Sequence, residues 1–231
     1  MNINRVTAVI LAGGIGSRMK TDKTKQNIVI RGKTVLERTL NAFCESDLIT
    51  DIVLVVREEE RHDITSAVMK FSNKPISVVV GGSIRSHSAR NGFNAAKSNS
   101  DFVAIHDCAR CLITAKMIDK VVMSAFEHGA ATAACAVVDT VKLVNSDGMI
   151  ESTLPREKIY RAQTPQVFSV DLYQRALDNA GDDIHTVTDD NMLIELIGVK
   201  IACVDLGQDN IKITTTEDLS LAEFILMNRG E

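Results

Sequence analysis

The sequence lacks any apolar run long enough to cross a membrane. A membrane-spanning helix needs roughly 18 or more consecutive apolar residues, and no stretch of this chain approaches that length. The amino-terminal stretch MNINRVTAVILAGG also lacks the apolar core and small-residue cleavage site of a secretory signal peptide. We therefore expect a cytoplasmic protein that does not bind membranes.

The sequence also lacks a basic surplus. Its 26 Lys and Arg residues are outnumbered by 30 Asp and Glu residues, which gives a formal net charge of -4. Without an overall positive field, binding to bulk nucleic acid is not expected, and any anion has to be bound at a local patch. Prolines number only 3 in 231 residues, with no repeat or low-complexity segment. We predict a single domain that spans residues 1–231.

Cysteine is present but sparse. The 5 cysteines are an odd number, and in a cytoplasmic chain they are expected to be reduced rather than paired. Cys108 and Cys111 form a CxxC pair, but no second CxxC or CxxH group supplies the other ligands of a zinc site. A structural role for both thiols is the favoured interpretation.

Short apolar runs alternate with segments of helical period, from TAVILAG at residue 7 to ATAACAVV at residue 131. This alternation predicts an α/β fold, a doubly wound and mostly parallel sheet covered by helices on both faces. After Val138 the pattern changes, and Asp147 and Gly148 lie between two alternating segments, as in a β-hairpin. We predict a protruding β-hairpin arm at about residues 140–160.

The first apolar run leads into a glycine-rich turn and a basic segment, AVILAGGIGSRMKTDKTKQ at residues 8–26. A turn of this kind at the carboxyl edge of a parallel sheet is where such folds bind nucleotides. It is not a dinucleotide fingerprint, because Met19 occupies the third glycine position. Nor does Gly32 with Lys33 complete a P-loop, because Asn27 stands at the required earlier glycine.

Two other polar clusters follow predicted strands, GGSIRSHS at residues 81–88 and HDCAR at residues 106–110. Because the carboxyl ends of parallel strands share one edge of the sheet, both clusters should open into the crevice beside the glycine turn. Asp107 directly follows a buried strand and is placed to hold Mg²⁺ against phosphates, with capping of the next turn as the alternative. Arg18, Lys25 and Arg110 would supply positive charge around it.

Seven segments in order resemble the pyrimidine nucleotidyltransferase family, most closely the cytidylyltransferases of the non-mevalonate isoprenoid pathway. They are LAGGIGSRM with TKQ, GGSIRSHS, HDCAR, DTVK, AQTPQVF, VTDD and DNIKITTTEDLSLAE. The resemblance covers nearly the whole chain. It implies a Rossmann-like nucleotidyltransferase fold and transfer of a cytidylyl group from CTP to a polyol phosphate, with release of pyrophosphate and a divalent cation such as Mg²⁺ as cofactor.

The resemblance also implies a role for individual residues. Arg18 and Lys25 would stabilise the transition state, and Asp107 would support the metal. The cytosine and ribose would lie against Ala12, Gly13, Gly14, Gly82 and Ser88, and the polyol phosphate against Thr140, Arg156, Lys212, Arg110 and Thr164. Family members are homodimers whose arms embrace, so Thr140 and Arg156 would act in the partner's site. The sequence departs from the family's usual pattern at Thr24, Ser83, His87 and Cys111.

The chemistry explains why no Ser-His-Asp or Cys-His arrangement stands out. A phosphate monoester has a second pKa of about 6, so the acceptor is already a dianionic nucleophile at neutral pH and needs no general base. Two acceptors stay open. The segments DTVK and VTDD favour methylerythritol 4-phosphate, and ribitol 5-phosphate is the alternative. The alternative from another class is a protein of the same fold that binds nucleotide without turnover. The presence of four residues argues against it: Arg18, Lys25, Asp107 and Lys212.

Overall fold

The computed structural model describes residues 4–14, 24–68 and 74–231. Seven strands form the central sheet: β1 (Val6–Leu11), β4 (Asp51–Val56), β5 (Ile76–Val80), β6 (Phe102–Asp107), β7 (Ala130–Ala136), β10 (Tyr160–Ser169) and β11 (Ala202–Asp205). Two small hairpins stand apart from it: β2 (Val29–Ile30) with β3 (Lys33–Thr34), and β8 (Lys142–Val144) with β9 (Ile150–Thr153).

The α-helices are α1 (Val35–Glu45), α2 (Arg61–Val68), α3 (Arg85–Ala96), α4 (Ala115–His128), α5 (Val170–Ala180), α6 (Asp190–Leu196) and α7 (Thr216–Asn228). None of the helices in the described ranges is both long enough and apolar enough to span a membrane. Most of them follow a strand and return the chain to the end of the sheet at which the next parallel strand begins, as parallel pairing requires.

The sheet order is β11-β7-β10-β6-β1-β4-β5. All neighbours pair in parallel except β10, which runs antiparallel to both β6 and β7. This confirms the predicted mostly parallel α/β sheet. The sequence interpretation assigned no strand to the segment AQTPQVF, which lies within β10. Because β10 runs the other way, its amino-terminal half lies beside the carboxyl end of β6.

Each face of the sheet is covered by its own apolar cluster. Strand β1 is buried throughout except for its last residue, and alternate side chains point to opposite faces. Val6, Ala8 and Ile10 pack with residues of α1, α4 and α7, whereas Val9 packs with residues of α3, α5 and α6. A strand buried on both faces reads as a continuous apolar run, which is why the sequence TAVILAG is informative.

The hairpin β8–β9 projects as an arm within the predicted range. Its turn contains Gly148 at a φ of 78°, and the Asn145 carboxamide oxygen accepts from the backbone N–H of Asp147 and Met149. Every residue of both strands is exposed in the single chain. The exposed apolar side chains on and beside the arm include Val138, Leu143, Val144, Met149 and Ile150.

Candidate active site

A crevice of about 390 Å³ opens at the carboxyl edge of the parallel strands. It lies between the turn after β1, the turn after β5 and the end of β6. Eight of the predicted site residues line it: Ala12, Gly13, Gly14, Lys25, Gly82, Ser88, Asp107 and Lys212. The fold therefore brings residues of the glycine turn, GGSIRSHS and HDCAR together around one crevice.

The turn after β5 is tight because α3 folds back on it. The Ser88 hydroxyl oxygen accepts from the backbone N–H of Gly82 at 3.0 Å and donates to the carbonyl of Ile84 at 3.1 Å. A Cβ built on Gly81 would approach the Ser88 hydroxyl to 2.7 Å, and one on Gly82 would collide with His87. Glycine at both positions lets the backbone wall of the crevice lie against the start of the helix.

Asp107 lines the crevice and lies between two cations. One carboxylate oxygen accepts from Arg85 Nε at 2.9 Å, and the other accepts from Lys212 Nζ at 2.6 Å. Burial alone would raise the pKa of Asp107, but the charges of Arg85 and Lys212 outweigh it and hold the pKa well below its usual range. The carboxylate is therefore ionised at neutral pH.

Arg85, the first residue of α3, spans two acids. Its Nη1 donates to Asp190 at 2.7 Å while its Nε holds Asp107. Burial would lower the pKa of Arg85, and the two carboxylates more than reverse that effect, so the side chain stays charged. Neither role of Arg85 was predicted from the sequence. Asp107 and Asp190 lie 22 and 105 residues from it, so only the fold brings the three together.

A buried hydrogen-bond chain supports Asp107 from below. The Thr164 hydroxyl oxygen accepts from the backbone N–H of Asp107 at 3.0 Å and lies 3.1 Å from His106 Nδ1. Because the hydroxyl oxygen is an acceptor in the first contact, its proton is available to donate to an unprotonated Nδ1. Burial lowers the pKa of His106 to about 3, which agrees with a neutral ring. Thr164, predicted to bind substrate, is buried beneath the crevice in this chain.

Lys25 begins a short 3-10 helix, Lys25–Asn27, that closes one side of the crevice. Its Nζ donates to the carbonyl of Ile213 at 3.2 Å, which ties it to the segment that carries Lys212. The neighbouring Gln26 is buried and donates to both oxygens of Glu60, at 2.7 and 2.6 Å. These anchors fix the backbone that carries Lys25. Arg18, its predicted partner in catalysis, lies outside the described residues.

Three other predicted residues lie away from the crevice lining. Arg110 is near its rim, where Nη1 donates to the carbonyl of Asn210 at 2.9 Å and burial lowers the pKa of the guanidinium. Thr140 is exposed at the base of the arm. Arg156 is also exposed and donates to the carbonyl of Val138 at 2.9 Å. Within one chain the fold does not bring Thr140 or Arg156 to the crevice.

Cys108 and Cys111 are both buried in the apolar cluster that packs against α1 and α4. Burial raises the pKa of both thiols, that of Cys111 to about 11. Protonated thiols in such surroundings pack as small apolar groups. Within the described residues, no group of three or more His, Cys, Asp and Glu side chains is arranged to hold a metal ion.

One carboxylate in the described lining of the crevice could contribute to a magnesium site. Mg²⁺ is commonly bound by one or two carboxylates together with substrate phosphates and water. Asp107 is the single acidic side chain among the described residues lining the crevice, it is ionised, and each of its oxygens has a lone pair besides the one used by its cation. These features fit a metal ion carried in by a polyphosphate rather than a metal centre built by the protein.

The fold and the site together define a nucleotidyltransferase. The features are a doubly wound sheet, a glycine turn after its first strand, and lysine and arginine side chains around one carboxylate at the carboxyl edge.

Comparison with known proteins narrows the class. The family model of 2-C-methyl-D-erythritol 4-phosphate cytidylyltransferase matches residues 6–228. The cytidylyltransferase of that name from Clostridium acetobutylicum is 40% identical over 221 residues, covering 95% of this chain and 96% of its own. The one from Lachnoclostridium phytofermentans is 41% identical over 228 residues, covering 97% of each chain. The crystal structure of 4-diphosphocytidyl-2C-methyl-D-erythritol synthase from Anaerococcus prevotii superposes with a TM-score of 0.87 at 29% identity, covering 98% of this chain and 100% of its own. The chain belongs to the 2-C-methyl-D-erythritol 4-phosphate cytidylyltransferase family.

Proposed function

We propose that the crevice transfers the cytidylyl group of CTP to 2-C-methyl-D-erythritol 4-phosphate and releases pyrophosphate. The observation that carries this proposal is the charge of the lining. Lys25, Arg85 and Lys212 converge on a space in which Asp107 is the single acid among the described lining residues. A surplus of fixed cations in a half-enclosed space suits two phosphorylated substrates that would otherwise repel one another.

The reaction is an in-line displacement at phosphorus. An oxygen of the acceptor phosphate forms a bond to the α-phosphorus of CTP, and the bond from that phosphorus to the bridging oxygen of pyrophosphate breaks. Since the acceptor phosphate is already largely dianionic at neutral pH, no group has to remove a proton. The protein positions the two anions and stabilises the charge that grows on the equatorial oxygens and the leaving group.

Lys25 is placed for that stabilisation. Its ammonium group reaches the crevice from the 3-10 helix, and its bond to the carbonyl of Ile213 holds it on the same side as Lys212. Arg18 has the corresponding role by family resemblance. Removing one preorganised donor of this type costs on the order of 100-fold to 1000-fold in rate.

The nucleotide is proposed to lie along the two glycine turns. Ala12, Gly13 and Gly14 line one wall of the crevice, and Gly82 and Ser88 line the other. Among the described residues, a Cβ built on Gly14 would meet no atom within 4 Å, and one built on Gly13 would meet only Arg57. This space lets a base and ribose approach the backbone closely. Asp107 would hold the Mg²⁺ that accompanies CTP, and the ion would neutralise phosphate charge when bound.

The acceptor phosphate is proposed to bind Lys212, with Arg110 and Thr164 close by. Thr140 and Arg156 would complete this pocket only if the arm of a second copy reached it. The exposed apolar side chains of the arm, with Leu143 and Ile150 among them, support a homodimer formed through the arm. We propose the same cytoplasmic location that the sequence predicts.

The test offers the purified protein CTP and Mg²⁺ with each acceptor in a separate reaction and measures released pyrophosphate. Turnover with methylerythritol 4-phosphate alone is the expected result. Turnover with ribitol 5-phosphate alone would leave the mechanism intact and replace the acceptor. Absence of turnover with both would indicate a protein that binds nucleotide without catalysing transfer.

A further inference from the structure

We propose that Asp190 is a positioning residue for the transfer reaction: it fixes the Arg85 guanidinium, and through it the Asp107 carboxylate, in the crevice. This inference rests on the proposed function, because it assigns a further residue to the same site. Asp190 does not line the crevice, and its side chain is only 2% exposed. Among the residues that the structure describes, Arg85 is the hydrogen-bond partner that connects Asp190 to the crevice lining.

Asp190 is held by three separate elements. One carboxylate oxygen accepts from the Tyr173 hydroxyl of α5 at 2.5 Å, and the other accepts from Arg85 of α3 at 2.7 Å. Its backbone N–H donates to Gln166 of β10 at 3.0 Å. The Tyr173 ring packs between Phe93 and Phe168, with ring centroids 4.9 and 5.4 Å away. The position of the carboxylate is therefore set by the core.

The fixed position of the Asp190 carboxylate sets the orientation of the Arg85 guanidinium. A guanidinium is planar, with its donors at fixed angles, so a bond from Nη1 to Asp190 determines where Nε points. Nε then holds one oxygen of Asp107 at 2.9 Å, while Lys212 holds the other at 2.6 Å. Lysine at position 85 could pair with one acid but could not span both.

The neighbouring acid provides a matched comparison. Asp189 is the N-cap of α6, where its side chain accepts from the backbone N–H of Met192, and it also accepts from Gln166 Nε2. Asp190 lies one residue further on and turns toward Arg85 instead. The two acids share a helix and a neighbour, but the hydrogen bonds of the described residues connect only Asp190 to the crevice.

The experiment measures kcat and KM for both substrates in Asp190→Asn, Arg85→Lys, the double variant and Asp189→Asn, below the thermal midpoint of each. In Asp190→Asn one carboxylate oxygen becomes an NH₂ group, so Tyr173 and Arg85 can no longer both donate to the side chain. We expect a loss of roughly 10-fold to 100-fold in kcat/KM, since small misplacements of reacting groups cost rates of that order. Asp189→Asn also replaces one carboxylate oxygen, the one that accepts from Gln166 and Asn191, but it keeps the oxygen that caps α6 and leaves Arg85 untouched. It should therefore stay within about 3-fold of wild type.

The double variant separates positioning from general destabilisation. If Asp190 acts through Arg85, the double variant should be within about 3-fold of Arg85→Lys alone, because coupled residues give non-additive effects. The proposal would be overturned if the losses of the two single variants multiplied in the double variant. It would also be overturned if Asp190→Asn kept most of its kcat/KM. Should Asp190→Asn fail to fold, the partly exposed Arg85→Lys decides alone, and its full activity would refute the need for a bridging side chain. Wild-type turnover in the same assay tests the proposed function separately.

Discussion

His106 is a buried neutral imidazole whose protonation should destabilise the protein in mild acid. The ring is fully buried, packs 4.9 Å from the Phe43 ring, and lies with Nδ1 3.1 Å from the Thr164 hydroxyl. Burial removes water from the ring and lowers its pKa from 6.5 to about 3. The unfolded chain, in which the ring is hydrated, keeps a pKa of about 6.5.

The sign and size of the effect follow from the two pKa values. Between pH 6.5 and 3 the unfolded state binds a proton that the folded state refuses, so stability present above pH 6.5 is lost as the pH falls. Each pH unit is equivalent to about 1.4 kcal/mol, which gives a loss of about 2 kcal/mol at pH 5. For a chain of this size, about 2 kcal/mol corresponds to a fall of about 4–8 °C in the thermal midpoint.

The assay compares thermal midpoints of the wild type and His106→Asn from pH 8 to pH 5. Asparagine offers an amide oxygen near the position of Nδ1 and does not titrate, so its packing cost is the same at every pH. The wild type should be the more stable at pH 7, and its advantage should shrink by about 4–8 °C at pH 5. His62→Asn, at a side chain that is 94% exposed, is the control and should leave the slope unchanged. A constant difference between wild type and His106→Asn would refute the reasoning.

Four further substitutions test the site and the elements that support it. Lys25→Ala should lower kcat on the order of 100-fold to 1000-fold with an unchanged circular dichroism spectrum, and a variant with most of its turnover would contradict the role given to Lys25. Lys212→Ala and Arg156→Ala should raise the KM for the acceptor, because they would hold the acceptor phosphate that supplies the attacking oxygen; a rise confined to the KM of CTP would show the pocket to be misassigned. Gly92→Ala should cost about 1–3 kcal/mol in denaturant unfolding, because a Cβ there would come within 2.7 Å of a Val55 methyl group, and unaltered stability would show that α3 has room to move.

Much of the fold could be predicted from the sequence because the strands have a simple signature. DIVLVV and DFVAIHD are buried on both faces and read as uninterrupted apolar runs, and each matches a strand, Asp51–Val56 and Phe102–Asp107. Strand β10 was missed because AQTPQVF contains polar side chains and a proline. Its Gln163, Thr164 and Gln166 are buried and hydrogen-bonded inside the protein, and a local pattern does not reveal such partners.

The site was predictable where its residues follow strands and hidden where it depends on distant pairing. Asp107 and Gly82 come at strand ends, so topology alone brings them to one edge of the sheet. Arg85 lies within GGSIRSHS, but the sequence predicts no role for it, since an arginine at a helix start is usually solvated. Its two acids come from β6 and α6, and their approach depends on packing that local sequence does not encode. Thr140 and Arg156 remain predictions that depend on a second copy of the chain.

The most direct test of the account follows the oxygen atoms of the transfer. The protein is incubated with CTP, Mg²⁺ and methylerythritol 4-phosphate labelled with ¹⁸O in its phosphate, and both products are analysed by mass spectrometry. If the acceptor phosphate attacks the α-phosphorus of CTP directly, all of the label stays in the cytidylylated product and the pyrophosphate carries none. Label in the pyrophosphate, or release of pyrophosphate without a cytidylylated acceptor, would contradict the proposed transfer.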